Sequence, residues 1–324
     1  MTLVKLLDPV TGDLMVDILA TVSPELLNQK VLNHGYVKVL DCMPRLVPAD
    51  NPNADFAVPD AARTSYQKGT RKLSTDAGLI DHLIRNHHSG PVEMAELKYS
   101  LRMPIFSQAQ LVRHRTANLN IESARYSVME DDFYIPEPQH WAINTSKDKQ
   151  ATEQAALDPR VADALYNYIS SHNDASYRLY QDLLKGQNEM AAQDVWIDVP
   201  GIAREQARMV LGQNIFSRSV WKQDLKNHLH FLMLRTDSHA QFEIREYADA
   251  MARVVEKLFP ATWASFKDHV IDGVSFSKTE WSVIHAFLSD GCIGKGKLTE
   301  LGWTGRRVTE FLAKTEKAGF NFKA

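Results

Sequence analysis

The sequence of 324 residues has two cysteines, Cys42 and Cys292, far apart and with no Cys-x-x-Cys spacing. That excludes a disulfide framework and a cysteine zinc site, and it fits a reducing compartment. No run approaches the ~20 apolar residues of a membrane-spanning helix. The stretch MTLVKLLDPVTGDLMVDIL is broken by Pro9, Gly12 and several acids. It lacks the basic region and unbroken apolar run of a signal peptide. A cytoplasmic protein with no membrane partner is therefore expected. A cationic surplus is missing too: 37 Lys and Arg face 40 Asp and Glu, for a net charge of -3. Such a balance argues against a general nucleic-acid coat protein, so nucleic acid is not an expected partner. There is no Gly-x-Gly-x-x-Gly fingerprint, no repeat and no low-complexity tract. What remains is an ordinary globular composition, 44% hydrophobic, long enough for one large domain or two medium ones.

Periodicity organises the chain. VKVLDCM (37–43) reads as a strand, and residues 44–60, with four prolines, as loop. STDAGLIDHLIRNH (74–87) places Leu79, Ile80, Leu83 and Ile84 on one helical face, with Ser74 or Thr75 as cap. HHSGP then breaks the helix. ELKYSLRM alternates Leu97, Tyr99, Leu101 and Met103 with polar residues, as a half-buried strand does. Pro104 ends it and opens a helix, PIFSQAQLVRHR. Residues 137–150 are polar loop, and 158–186 a helix. Three more helices are expected: IAREQARMVL, VWKQDLKNHLHFLML, and one capped by Ser238 and Gln241 that runs to Pro260. The last fifty residues read helix, turn, short helix, turn, helix.

The densest chemistry is RHRTANLNIESARY (113–126), with three arginines and a histidine in fourteen positions. On a continuous helix, neighbouring residues point about 100° apart, so three cations converge only where a helix ends in a loop. A planar guanidinium matches phosphate oxygens two at a time. Asn118, Asn120 and Ser123 add polar groups, and Arg125 lies beyond the loop, able to face a second anion. On spacing alone, the stretch reads equally well as a solvated basic face.

The order RHR, seven residues, then SAR resembles the signature of flavin-dependent thymidylate synthases. ARTSY (62–66), HHSGPVE (87–93), MPIFSQAQLVRHR (103–115), RYSVMEDDFYIPE (125–137), REQARMVL (204–211) and WKQDLKNHLHFLMLRTDSHAQFEIREYA (221–248) are similar to further blocks of that family, in the family's order. The resemblance implies an α/β fold of α+β type, an antiparallel-containing sheet flanked by long helices and not a Rossmann fold. It also implies reductive methylation of dUMP to dTMP. Methylenetetrahydrofolate would give the carbon and NADPH the reducing equivalents, through bound FAD. Homotetramers with active sites shared between subunits are expected. The catalytic domain would span 36–270, between an N-terminal extension (1–35) and a C-terminal helical extension (271–324).

By similarity, Arg113, His114 and Arg115 would hold FAD, with His88, Glu93, Ser65, Asp224, Lys226 and His230 on the flavin side. Gln110, Ser123, Arg125, Arg208 and Arg235 would hold dUMP. Arg235 would lie by the uracil ring, stabilising charge as carbon-5 becomes nucleophilic; Arg235 and Ser123 are thus the catalytic candidates. Without the family, His88 reads as a loop histidine capping the helix before it, and Arg204 and Arg208 as surface cations pairing with acids such as Glu205. His228, His230 and His239 lack metal-ligand spacing, so no metal is expected. Both cysteines fall outside every matched block, which agrees with a mechanism that forms no covalent cysteine adduct. One departure stands out. Family members commonly carry Glu two residues before the signature serine; here Ile121 takes that slot and the acid has moved to Glu122, which leaves open a different pyrimidine nucleotide as substrate. The tail, LTELGWTGRRVTEFLAKTEKAGF, has a helix-turn-helix look that invites a DNA-binding reading. An accessory bundle packed through Trp281, Phe287, Trp303 and Phe311 is the preferred one.

Overall fold

The alternation over 96–104 lies at the centre of the fold. The structure is a computed structural model that describes residues 5–7, 12–65, 75–141, 157–192, 195–290, 303 and 305–319. The chain divides into two compact units, Met1–Trp263 and Ala264–Ala324.

In the first unit, strand β1 (Lys5–Leu7) pairs with β2 (Leu14–Asp17). A short helix α1 (Pro24–Leu27), capped by Ser23, leads to β3 (Asn28–Val31) and β4 (Gly35–Met43). Then come β5 (Leu46–Pro48), α2 (Ala57–Arg63), α3 (Asp76–Arg85) and β6 (Glu96–Pro104). Helix α4 (Ile105–Leu111) follows without a break, and the chain continues into β7 (Asn118–Ile121) and the long α5 (Pro159–Lys185). After the hairpin β8 (Gln187–Ala192) and β9 (Val195–Val199) come α6 (Arg204–Ala207), β10 (Phe216–Asp224), α7 (Leu225–Arg235) and α8 (Phe242–Leu258). Helix α9 (Pro260–Phe266) starts at the proline expected to stop α8.

The main sheet has the order β3-β4-β6-β10-β7 and every pairing in it is antiparallel. It is a mixed helix and antiparallel-sheet fold. Leu97, Tyr99, Leu101 and Met103 of β6 are fully buried, and so is Trp221 of β10. Each such side chain contributes about 1.5–3 kcal/mol on burial. Helices α7 and α8 lie against the sheet and each other, and α4 packs on α8. The approach of α8 is close: a Cβ on Gly35 would sit 2.0 Å from the Tyr247 hydroxyl, which donates to the Arg102 carbonyl. Glycine is what leaves room there for the Tyr247 hydroxyl and for the Val31 and Arg102 carbonyls.

Several expectations need correction. Residues 220–234 are not one helix: β10 occupies 216–224, and the period changes from 2 to 3.6 at Asp224, whose carboxylate accepts the Asn227 backbone N–H and caps α7. Gln241, not Ser238, is the N-cap of α8, and its side chain makes no capping bond. The helix expected over 202–211 is a single α turn followed by a 3-10 turn, Arg208–Val210. The stretch 44–60 holds β5 and the start of α2, and the β8–β9 hairpin was not foreseen. Thr75 caps α3; Ser74 lies outside the described residues.

In the second unit, α10 (Lys278–Asp290) and α11 (Gly305–Lys317) pack through Val283, Ile284, Trp303 and Phe311. Trp281, expected in that core, is half exposed. The Phe287 side chain and the expected short helix within 291–302 lie outside the described residues.

Candidate active site

Helix α4 ends at Leu111, and the RHR stretch follows as a turn before β7 joins the sheet edge. The three residues therefore leave a helix end, the geometry in which they can serve one ligand. The loop is anchored from behind: the buried Gln223 side-chain amide donates to the Thr116 hydroxyl at 3.2 Å. Arg113 and Arg115 are exposed. Neither side chain has an ion-pair partner among the described residues.

His114 turns inward. Its ring packs edge-on against Phe231, 4.9 Å between centroids. Arg235, the last residue of α7, donates from Nε to His114 Nε2 at 3.1 Å and from Nη1 to Gln110 Oε1 at 3.2 Å. A guanidinium has donors only, so His114 Nε2 must accept and the ring proton must sit on Nδ1. Burial, then the nearby positive charge of Arg235 and His230, holds the His114 pKa down at about 4. The ring is neutral at pH 7. Burial lowers the Arg235 pKa as well, but arginine starts so high that it keeps its charge.

A second cluster forms where the chain turns after β7. The Ser123 hydroxyl accepts the Arg125 backbone N–H at 3.3 Å, and its carbonyl accepts from Tyr126 and Ser127. Arg125 pairs with Glu205 at 2.8 Å, both side chains about half exposed (59% and 49%). Arg208 donates to the Glu205 carbonyl, and Arg204 to the Tyr126 carbonyl. Glu205 thus partners Arg125 rather than Arg204. No hydrogen bond or ion pair among the described residues joins this cluster to Gln110, His114 and Arg235, so the five residues grouped with dUMP by similarity fall into two sets within one chain.

The remaining candidates are scattered. The His88 ring is exposed and lies edge-on to His82, 5.6 Å between centroids. Its backbone N–H bonds to the Leu83 carbonyl, and that of His87, at positive φ, to Ile84. Those two bonds are a Schellman closure of α3, so the backbone, not the ring, does the capping. Glu93 is half-buried on a 3-10 turn, Ser65 is exposed beyond α2, and Tyr66 of the same block lies outside the described residues. Asp224 is committed to its cap, while Lys226 and His230 stand one turn apart on α7. Ile121 is exposed, and the Glu122 carboxylate accepts the Arg218 backbone N–H at 3.1 Å, closing the sheet edge. Among the described residues Glu122 makes no ion pair with Arg125, Arg204 or Arg208; Arg125 pairs with Glu205 instead. His228 is buried among Tyr99, Trp221 and Phe231. Among the described residues no three His, Cys, Asp or Glu side chains converge as metal ligands.

Two residues that sequence reading did not place in the site belong beside it. Gln241 and Glu243, at the start of α8, connect to Gln110 through side-chain hydrogen bonds. The only local signal was Gln241 as a member of the expected Ser238–Gln241 capping pair, which suggested a capping role instead.

An antiparallel sheet flanked by helices, with two arginine-rich clusters, makes a mixed helix-and-sheet protein whose donor groups are suited to holding anions. The family model described as thymidylate synthase complementing protein (Thy1) matches residues 45–261. The flavin-dependent thymidylate synthase of Rickettsia bellii (strain RML369-C) is 40% identical over 260 residues, covering 80% of this chain and 85% of that one. The same enzyme of Thermus thermophilus is 38% identical over 284 residues, covering 88% and 94%. Among solved structures, a UMP/dUMP methylase PolB from Streptomyces cacaoi, bound with 5-Br UMP, has a TM-score of 0.60 at 28% identity, covering 74% of this chain and 96% of that one. The chain belongs to the flavin-dependent thymidylate synthase family.

Proposed function

We propose that the protein methylates dUMP at carbon-5 to give dTMP, with methylenetetrahydrofolate as one-carbon donor and NADPH as reductant through FAD. The observation that carries this reading is the Arg235 guanidinium. It is half-buried, charged, and held at Nε and Nη1 by two neutral acceptors. Its Nη2 has no partner among the described residues. Neutral His114 is essential here: a protonated ring would repel the guanidinium and lose the accepting lone pair.

The donor set fits a flavin dinucleotide. Exposed Arg113 and Arg115, without carboxylate partners among the described residues, supply the forked donors that a diphosphate takes. His88, Glu93, Ser65, Lys226 and His230 fill the flavin side; Asp224 acts there by fixing the start of α7. Bound flavin supplies the redox chemistry that amino-acid side chains lack.

On the nucleotide side, Arg125, Arg208 and Ser123 take the phosphate, and Gln110 with Arg235 takes the pyrimidine. Arg235 stabilises the negative charge on the pyrimidine that makes carbon-5 nucleophilic. The assembly expected from the family resemblance is a homotetramer whose active sites are shared between copies; the lack of any hydrogen bond between the Arg125–Arg208 cluster and the Gln110–Arg235–His114 cluster among the described residues is compatible with that.

No cysteine serves as nucleophile in this scheme. Burial pushes the Cys42 thiol up to about 12, and its Sγ is bonded to the Pro44 carbonyl. Cys292 lies outside the described residues.

Purified protein with a flavin absorbance band, releasing tritium from carbon-5-labelled dUMP in the presence of methylenetetrahydrofolate and NADPH, is the expected result. Colourless protein that takes up no FAD, or tritium retention with active cofactors, overturns the reading. A second reading is turnover of another pyrimidine nucleotide. It is favoured by the exposed Ile121, the committed Glu122 and the solved neighbour called a UMP/dUMP methylase; release from labelled UMP but not dUMP selects it. A DNA-binding tail has less support, since Arg307 lies over Trp303 and Lys314 pairs with Glu280 inside the second unit.

A further inference from the structure

We infer that Glu243 is a positioning residue for Arg235, acting through Gln241 and Gln110. Four side chains from three elements form one directional chain of hydrogen bonds. Gln241 Nε2 donates to Glu243 Oε2 at 2.7 Å, Gln110 Nε2 donates to Gln241 Oε1 at 2.5 Å, and Arg235 Nη1 donates to Gln110 Oε1. Glu243 is 7% exposed.

The chemistry fixes the direction of the chain. A glutamine amide has one donating and one accepting end, and either can face a neighbour. An ionised carboxylate can only accept, so Glu243 forces Gln241 to present its NH2 inward and its oxygen to Gln110. Gln110 must then offer its NH2 to Gln241, leaving its oxygen for Arg235. Without the carboxylate, both amides are free to turn over, and Gln110 would face the guanidinium with donors. That arrangement sets donor against donor and sends Arg235 elsewhere.

A further observation points the same way. Gln241 is the N-cap of α8, yet its side chain caps nothing and is spent on this chain. The inference rests on the reading of Arg235 as the group facing the pyrimidine.

The test uses the intact protein and dUMP. Gln241→Leu cuts the chain at an exposed position. The expected result is unchanged flavin content, KM for dUMP within about twofold, and kcat lower by about tenfold, the scale of one hydrogen bond to a charged group. Gln241→Glu sets two carboxylates face to face and lowers kcat at least as far. Adding Glu243→Gln to it reverses the donor while keeping the direction: the amide at 243 donates to the introduced carboxylate, which still accepts from Gln110. Most of the lost kcat then returns, which a packing role for either residue would not produce. The inference is overturned if Gln241→Leu keeps full kcat, or if the paired swap holds its flavin and recovers nothing. Arg235→Lys separates the two levels. If it leaves kcat intact, the reading of Arg235 itself fails; if it cripples turnover while Gln241→Leu does not, only the relay fails.

Discussion

The two cation clusters of this protein are built on opposite plans. Arg235 is half-buried, ends a helix, and is fixed by a neutral histidine and an amide whose own orientation is set from behind. Arg125 is mostly exposed and leans on Glu205, also exposed, across a surface turn. In the first case the protein has desolvated a charge and supplied hydrogen bonds in place of water, which preorganises it for charge that develops during reaction. In the second, the cation stays hydrated and its partner is easily exchanged for an incoming anion, since exposed ion pairs contribute only about 0–1 kcal/mol. A rigid cluster suits the step where charge moves, and an exchangeable one suits capture of a phosphate already charged in solution.

Four measurements would break or sharpen that contrast. The largest effect is expected at Arg235: replacement by Ala should lower kcat about 10²- to 10³-fold, the scale seen when one preorganised donor is removed, with flavin content retained. A loss confined to KM would erase the distinction. Arg125→Ala should instead raise KM for dUMP by about tenfold or more, the worth of a charge-assisted hydrogen bond, with a smaller change in kcat; steady-state kinetics decides. Acid provides the third measurement. His228 is buried with its pKa held at about 3 and His114 at about 4, both below the ordinary 6.5. The unfolded chain therefore binds more protons than the folded one between those values. Stability is fully present above pH 6.5 and is lost as pH falls, by about 1.4 kcal/mol per pH unit for a fully buried histidine such as His228. Denaturant midpoints measured across pH 4–7 should fall with acidity, and His228→Phe should flatten the slope. The smallest effect is expected at Glu205: Glu205→Gln should shift stability by less than about 1 kcal/mol and, by freeing Arg125, leave KM for dUMP unchanged or lower. A higher KM would show that the pair positions the arginine rather than merely screening it.

Sequence patterning revealed much of the frame. The alternation over 97–103 is the buried strand at the sheet centre, and 159–185 is the long helix, because both follow a single period from end to end. Where the period changes inside a continuous hydrophobic stretch, the reading failed. Residues 220–224 looked helical because Trp221 and Leu225 fit a helical stripe with the residues after them; Asp224, as an N-cap, marks the boundary. The hairpin at 187–199 gave no turn signal strong enough to be noticed. For RHR the sequence posed only a condition, that three adjacent cations serve one ligand where a helix ends in a loop; the expected helix ran through Arg115, and it is the structure that ends it at Leu111. Gln241 and Glu243 were not legible, since their partner Gln110 lies far back along the chain on another element.

The sequence by itself determined which residues carry charge, where helices and strands can begin, and, through six blocks in order, which family's chemistry they resemble. Only the tertiary structure decided which arginine is desolvated and which stays wet, that His114 is neutral, and which way the amide of Gln110 faces. These depend on what distant segments bring near, and neither hydration nor the direction of a hydrogen bond is a property of a residue read in its own local stretch.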